Sequence, residues 1–90
     1  PLFASINDDV LFGQVWSREK ELSPRDRSLI TIAALMGAGV TDKSMKSHIE
    51  RAKENGITKE EMVEIITQLS FYTGWSKGWV MFSFAMEIYK

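Results

Sequence analysis

Ser23-Pro24-Arg25-Asp26-Arg27-Ser28, and beyond it Ser47-His48-Ile49-Glu50-Arg51-Ala52-Lys53-Glu54-Asn55-Gly56-Ile57-Thr58-Lys59-Glu60-Glu61, decide the fold. In the first stretch Ser23 is a strong helix cap, Pro24 takes the first helical position, where its missing N–H is not needed, and Asp26 stands three residues after the cap as in a capping box. In the second, Asn55-Gly56 supplies a left-handed stop with Ile57 as the apolar residue just past it, and Thr58 with Glu61 starts the next helix through another capping box. The only histidine of the chain, His48, lies in the middle of the helix that ends there.

Working outward, the two prolines and six glycines fall almost entirely between periodic segments. Period-two alternation of β-branched residues is nearly absent, so the expected class is all-α, with five helices. The first is expected from about Asp8 to Ser17, capped by Asn7, with Asp8 and Asp9 at the positive end of its dipole and Leu11 and Val15 one turn apart. Glu19 to Leu22 connects it to the helix begun at Ser23, whose Leu29, Ile30, Ile32, Ala33, Ala34, Leu35 and Met36 suit a central, surrounded position. Gly37 and Gly39 end that helix. Thr41 or Asp42 caps the third, with Met45, Ile49 and Ala52 on its inner stripe. The fourth carries Met62, Ile66, Leu69 and Thr73 and closes at Gly74; Ser76 is expected to cap the last, from Lys77 to the C-terminus. Trp79, Val80, Met81, Phe82, Phe84, Ala85, Met86, Ile88 and Tyr89 leave that last helix almost no polar face, as in a helix buried all round. Ninety residues cannot wrap it completely, so a second subunit is the expected cover.

Ninety residues are read as one domain, 1–90. A chain of this size buries only about 60 to 65% of the surface it exposes when unfolded, so oligomerisation is expected to help hold it. There is no cysteine, which removes disulfides, thiolate metal sites and cysteine redox chemistry from this chain. The eleven basic and twelve acidic residues are interspersed, with no block to follow a phosphate backbone or an anionic membrane, so nucleic acid and membrane are not expected partners. Apolar runs are far below the roughly 20 residues that span a bilayer. A cytoplasmic protein without cofactor is the expectation. One histidine gives no metal spacing, and neither a phosphate loop nor a nucleophile elbow is present.

His48 sits about 60° from the centre of the Met45/Ile49/Ala52 stripe, half turned inward. An imidazole there can carry protons near neutral pH, or serve as a boundary residue bonded to Ser44 one turn earlier. On the fourth helix Glu61, Glu64, Gln68 and Tyr72 form a second stripe, either a solvated face or the lining of a polar pocket between subunits. Trp16, Trp75, Trp79 and Tyr72 suit core or interface packing, or the wall of a pocket for a small ring compound. Arg25 and Arg27 suit ion pairs, or a bound carboxylate. Met36, Met45, Met62, Met81 and Met86 fall on inferred buried faces.

From about Val10 to Tyr89 the chain resembles the carboxymuconolactone decarboxylase family, the helical group that includes the alkyl hydroperoxide reductase D-type proteins. The resemblance rests on Leu22-Ser23-Pro24-Arg25-Asp26-Arg27-Ser28, on His48-Ile49-Glu50-Arg51-Ala52 with Asn55-Gly56-Ile57-Thr58, and on Phe71-Tyr72-Thr73-Gly74-Trp75. It implies a compact all-α fold of five to six helices, assembly as trimers or hexamers, and a lyase that removes carbon dioxide from a carboxylated γ-lactone in aromatic catabolism. His48 matches the family's histidine, implying the proton donor; from facing geometry Glu64 would orient it, Gln68 and Tyr72 would hold the substrate, and Trp75 would complete the pocket. Ser76 and Gly78 replace a common Pro and Ala, which points to a different pocket rim. In the peroxidase branch that histidine works with a glutamate and a Cys-x-x-Cys pair. Here Gly39-Val40-Thr41-Asp42-Lys43-Ser44 holds no cysteine and Ser28 stands about where the glutamate would be, so no thiolate can attack a peroxide. A non-catalytic oligomeric binding protein is the alternative, and peroxidase chemistry ranks last.

Overall fold

A computed structural model describes residues 1–90. It is all-helical: α1 (Leu2–Ser5), a π-helical segment (Ile6–Val15), α2 (Pro24–Gly37), α3 (Lys43–Glu54), α4 (Lys59–Thr73) and α5 (Trp75–Ile88). No helix is long and apolar enough to cross a membrane.

The caps read from sequence set three of the helix starts. Ser23 Oγ accepts from the Asp26 N–H at 3.1 Å, although the Asp26 carboxylate does not reach back and lies instead 3.8 Å from Arg25. Asp42, rather than Thr41, opens α3 by accepting from the Ser44 N–H at 2.9 Å. Thr58 and Glu61 form the full reciprocal box, at 3.1 and 3.0 Å. At the end of α3, Gly56 takes a positive φ of 99° and lets the Ile57 N–H return to the Ala52 carbonyl at 3.0 Å, which delivers Ile57 into the core.

Helices α2 to α5 contact one another in the ring order α2, α3, α5, α4 and back to α2. Each turns one stripe inward: Ser28, Ile32 and Met36 from α2; Met45, Ile49 and Ala52 from α3; Met62, Ile66 and Ser70 from α4; Gly78, Met81 and Ala85 from α5. Tyr89 closes the ring from below, its hydroxyl donating to the Ile57 carbonyl at 2.7 Å.

Four expectations change here. The first helix starts at Leu2 instead of Asp8, continues as a π-helix, and is not capped by Asn7, whose amide donates to Asp8. Ser76 is not a cap: α5 begins at Trp75, directly after Gly74, whose φ of 122° makes a corner that a side chain would strain. No helix is central, because a ring of four gives each helix only two helical neighbours; Ile30 of α2 is therefore exposed, and α5, expected to be buried all round, buries a single stripe in one chain. Leu69, Thr73 and Met86 are half-buried, while Ser70 takes the innermost place on α4. It fits because Gly78 offers no Cβ: a methyl group built there would lie 2.0 Å from Ser70 Oγ.

Candidate active site

α3 positions His48 through its neighbours. Met45, Ile49 and Ala52 are driven into the core, and on the same side of the helix Asn55 donates to Ser28 Oγ of α2 at 2.9 Å. On the opposite edge Lys46 pairs with Glu87 at 2.6 Å and Lys53 donates to the Ile88 carbonyl at 3.0 Å, tying α3 to α5. His48 is thereby held half-buried on the α2-facing edge of α3. Its expected partner Ser44 donates its hydroxyl to Asp42 Oδ1 at 2.6 Å, and no side-chain hydrogen bond occupies the imidazole. Burial first, and the Arg51 guanidinium second, push the His48 pKa down from its ordinary 6.5, which favours the neutral ring at pH 7.

Arg51 lies one turn beyond His48 and is the residue that sequence reasoning passed over. Its guanidinium stacks over the Phe12 ring at 4.6 Å and the Trp16 ring at 5.7 Å, so a cation, two aromatic faces and the imidazole share one corner. The pattern His-x-x-Arg within one helix was the available signal, since residues three apart lie on one face. Trp16 thus serves this corner rather than a wall with Trp75 and Trp79.

The remaining candidates lie elsewhere in the chain. Glu64 and Gln68 are exposed and line a groove between α4 and α2 with Arg25, Leu29, Glu61 and Leu69. Arg25 is engaged there by the Glu61 carboxylate, and Arg27 donates to the carbonyls of Leu22 and Arg18 at 3.2 and 3.1 Å, so both arginines act in holding the fold. Trp75 and Trp79 stand 57% and 60% exposed and, with Phe82, Ile66, Ser70 and Gly78, line an apolar cavity of about 140 Å³ at the α4/α5 corner. Tyr72, at 80% exposure, lies beside that corner and lines neither cleft. Within one chain, then, His48 lines neither of the two clefts that hold Glu64, Gln68 and Trp75. No group of three or more carboxylate, histidine or cysteine side chains could hold a metal ion.

The carboxymuconolactone decarboxylase family model matches residues 1–87, nearly the whole of the fold just described. The chain belongs to that family. It is 37% identical over 79 residues to the 4-carboxymuconolactone decarboxylase of Acinetobacter baylyi, a match that takes in 88% of this chain and 58% of that protein. The chain therefore spans a little over half the length of this curated relative. No solved structure matches it. Membership agrees with the all-helical architecture and with the segments around Ser23, His48 and Gly74 on which the resemblance was read.

Proposed function

We propose that this family member is a small cytoplasmic acid–base lyase that removes carbon dioxide from a small carboxylated lactone or keto acid, with His48 as its proton donor. The observation that carries this is the 37% identity to a 4-carboxymuconolactone decarboxylase over 88% of the chain. In such a reaction the bond from ring carbon to carboxylate breaks, its electron pair moves into the conjugated carbonyl, carbon dioxide leaves, and the resulting enolate takes a proton at carbon. The corner around His48 has the parts for this. Arg51 can pair with a substrate carboxylate, Phe12 and Trp16 offer faces to a flat ring, and the anionic substrate would raise the depressed His48 pKa so that the imidazolium forms where its proton is needed.

Glu64, Gln68, Tyr72 and Trp75 enter the same reading as substrate contacts supplied by a second subunit of a trimer or hexamer, since one chain does not bring them to His48. Aromatic catabolism is the corresponding setting. Thiol peroxidase chemistry has no sulfur to run on in this chain.

The test is carbon dioxide release from a γ-carboxylated butenolide by the purified chain. His48→Gln should lower turnover by roughly 10² to 10⁴ while melting temperature and oligomeric state persist. Full turnover in a folded His48→Gln protein would end the catalytic assignment and favour a binding protein of the same fold.

A further inference from the structure

Trp75 and Trp79 stand outside the hydrophobic core, yet both line the cavity at the α4/α5 corner. The floor of that cavity is buried, made by Ile66 and Ser70 of α4 and by Gly78 of α5. Its walls are the two tryptophans, each more than half exposed, and the half-buried Phe82. Each tryptophan is braced by a second ring: Phe71 meets Trp75 edge to face at 5.7 Å, and Phe82 meets Trp79 almost at right angles at 5.9 Å. The walls are therefore held apart before anything enters.

Size, charge and hydrogen bonding narrow what can enter. A volume of about 140 Å³ is that of one ring, since an apolar cavity of about 150 Å³ holds benzene whereas drug-sized ligands occupy about 300 Å³ or more. Indole and phenyl faces favour a flat, aromatic occupant. No charged side chain lines the cavity. Lys77, the only charged residue between Ile65 and Met86, is engaged elsewhere: its ammonium donates to the Thr73 carbonyl at 3.2 Å and its stem runs past Gly39. An anion would lose its hydration there with no cation to replace it. The hydroxyls can only accept. Ser70 Oγ at the floor donates to the Ile66 carbonyl at 2.7 Å, and Thr67 Oγ1 at the rim donates to the Val63 carbonyl at 2.8 Å. With both hydrogens committed within α4, each oxygen has a lone pair left for a ligand.

We propose that this cavity binds a neutral, single-ring aromatic molecule carrying one hydrogen-bond donor, of which phenol is the simplest. Its ring lies among Trp75, Trp79 and Phe82, and its hydroxyl donates to Ser70 Oγ. Binding there does not depend on the proposed reaction, since His48 does not line this cavity.

The test is titration of the full chain with phenol, followed through the indole N–H signals in proton–nitrogen correlation spectra. The signals of Trp75 and Trp79 should shift saturably, with a Kd on the order of 1 mM, while that of Trp16 stays in place. Benzoate at pH 7 keeps the ring and adds a charge; cyclohexanol keeps the hydroxyl and loses the flat face. Each should bind at least tenfold more weakly than phenol. Ser70→Ala should weaken phenol roughly three- to tenfold and leave toluene, which has no donor, unchanged. Trp79→Ala, at an exposed position outside the core, should weaken both tenfold or more. No saturable shift up to about 10 mM phenol overturns the proposal, whether the cavity stays empty or a second copy covers it. Benzoate binding as tightly as phenol, or full phenol affinity in Trp79→Ala, overturns it as well. Full phenol affinity in Ser70→Ala overturns the role given to the hydroxyl. A chain that binds phenol but releases no carbon dioxide from a lactone would count against the proposed reaction and leave this site standing.

Discussion

The N-terminal arm and the ring of four helices are both rich in apolar residues, but only one of them makes a core. Residues 2–15 include Leu2, Phe3, Ile6, Val10, Leu11, Phe12 and Val15 and bury none of them, whereas the ring, with Ile57 between α3 and α4 and the C-terminal Tyr89, places eleven hydrophobic residues in one cluster. The difference lies in order, not in amount. In α3 the apolar residues recur at three and four positions with charges opposite, and the ends are fixed by Asp42 and Gly56; in the arm they fall on all sides of a helix that no side chain caps. The projecting arm also accounts for the radius of gyration of 13.5 Å, against about 12 Å expected for ninety compact residues.

The comparison is broken most simply by removing side chains from each region. Ile49→Ala, at a position with no exposed surface, should cost about 2–5 kcal/mol in urea unfolding, from lost transfer energy and the cavity left behind. Val10→Ala in the arm should cost less than about 1 kcal/mol in the dissociated chain. Comparable losses would mean that the arm is part of the cooperative core.

Adding a methyl group probes the same contrast from the other side. Gly78→Ala puts a Cβ 2.0 Å from Ser70 Oγ and 3.0 Å from Ser70 Cβ, so α4 and α5 must separate, at about 1–3 kcal/mol. Ser70→Gly in the same chain should return part of that loss. Gly13→Ala in the arm meets only the Asp8 carbonyl at 3.3 Å and should be close to neutral, because the better helix propensity offsets the tighter fit. Thermal denaturation of the three variants decides it.

Arg51 is the hinge between the two regions, and Arg51→Met keeps most of its apolar stem while removing the cation over Phe12 and Trp16. The loss should be about 0.5–1 kcal/mol and confined to the arm. Limited proteolysis should therefore cut within residues 2–15 faster, while hydrogen exchange of α3 and α4 stays as it was. Unchanged cleavage would show that something else holds the arm.

The ring was legible in the sequence because its signals are local. Ser23, Thr58 with Glu61, and Asn55-Gly56 act within one turn, and the stripes of α3 and of α4 up to Ile66 read out at helical period. The arm was legible only in part: a helix was expected over much of Ile6–Val15, but its start at Leu2 and its π-helical, uncapped hydrogen bonding carry no such signal. The stop of α4 at Gly74 was read, but not that α5 starts directly after it without a serine cap. Ser70 was missed as a core residue because its place depends on a glycine eight positions away on another helix. Of the candidate site, the half-burial of His48 followed from its helical angle. Glu64, Gln68, Tyr72 and Trp75 are not brought to His48 within one chain, because they lie on the far sides of α4 and α5.

The smallest effect expected is one of pH. Burial, and after it Arg51, hold the His48 pKa below the 6.5 it has in an unfolded chain. Between the folded value and 6.5 the unfolded chain carries a proton that the folded chain does not, so stability falls as pH drops through 6.5 and levels off below the folded pKa. Above 6.5 both states are neutral there and the residue contributes no slope. The carboxylates of Asp42, Glu61 and Glu87 behave oppositely: hydrogen bonds to Ser44, Thr58 and Lys46 respectively hold their pKa values below 3.8 for Asp42 and 4.5 for the two glutamates, so what they contribute is intact above those values and lost only in stronger acid. The two windows are separate. Melting temperature measured between about pH 5 and pH 8 should show a shallow decline on the acid side in the wild type. That decline should be smaller in Arg51→Met, where one of the two causes is gone, and absent in His48→Gln. Equal slopes in all three proteins would mean that the half-burial of His48 at this edge of α3 does not hold it neutral and has no electrostatic consequence.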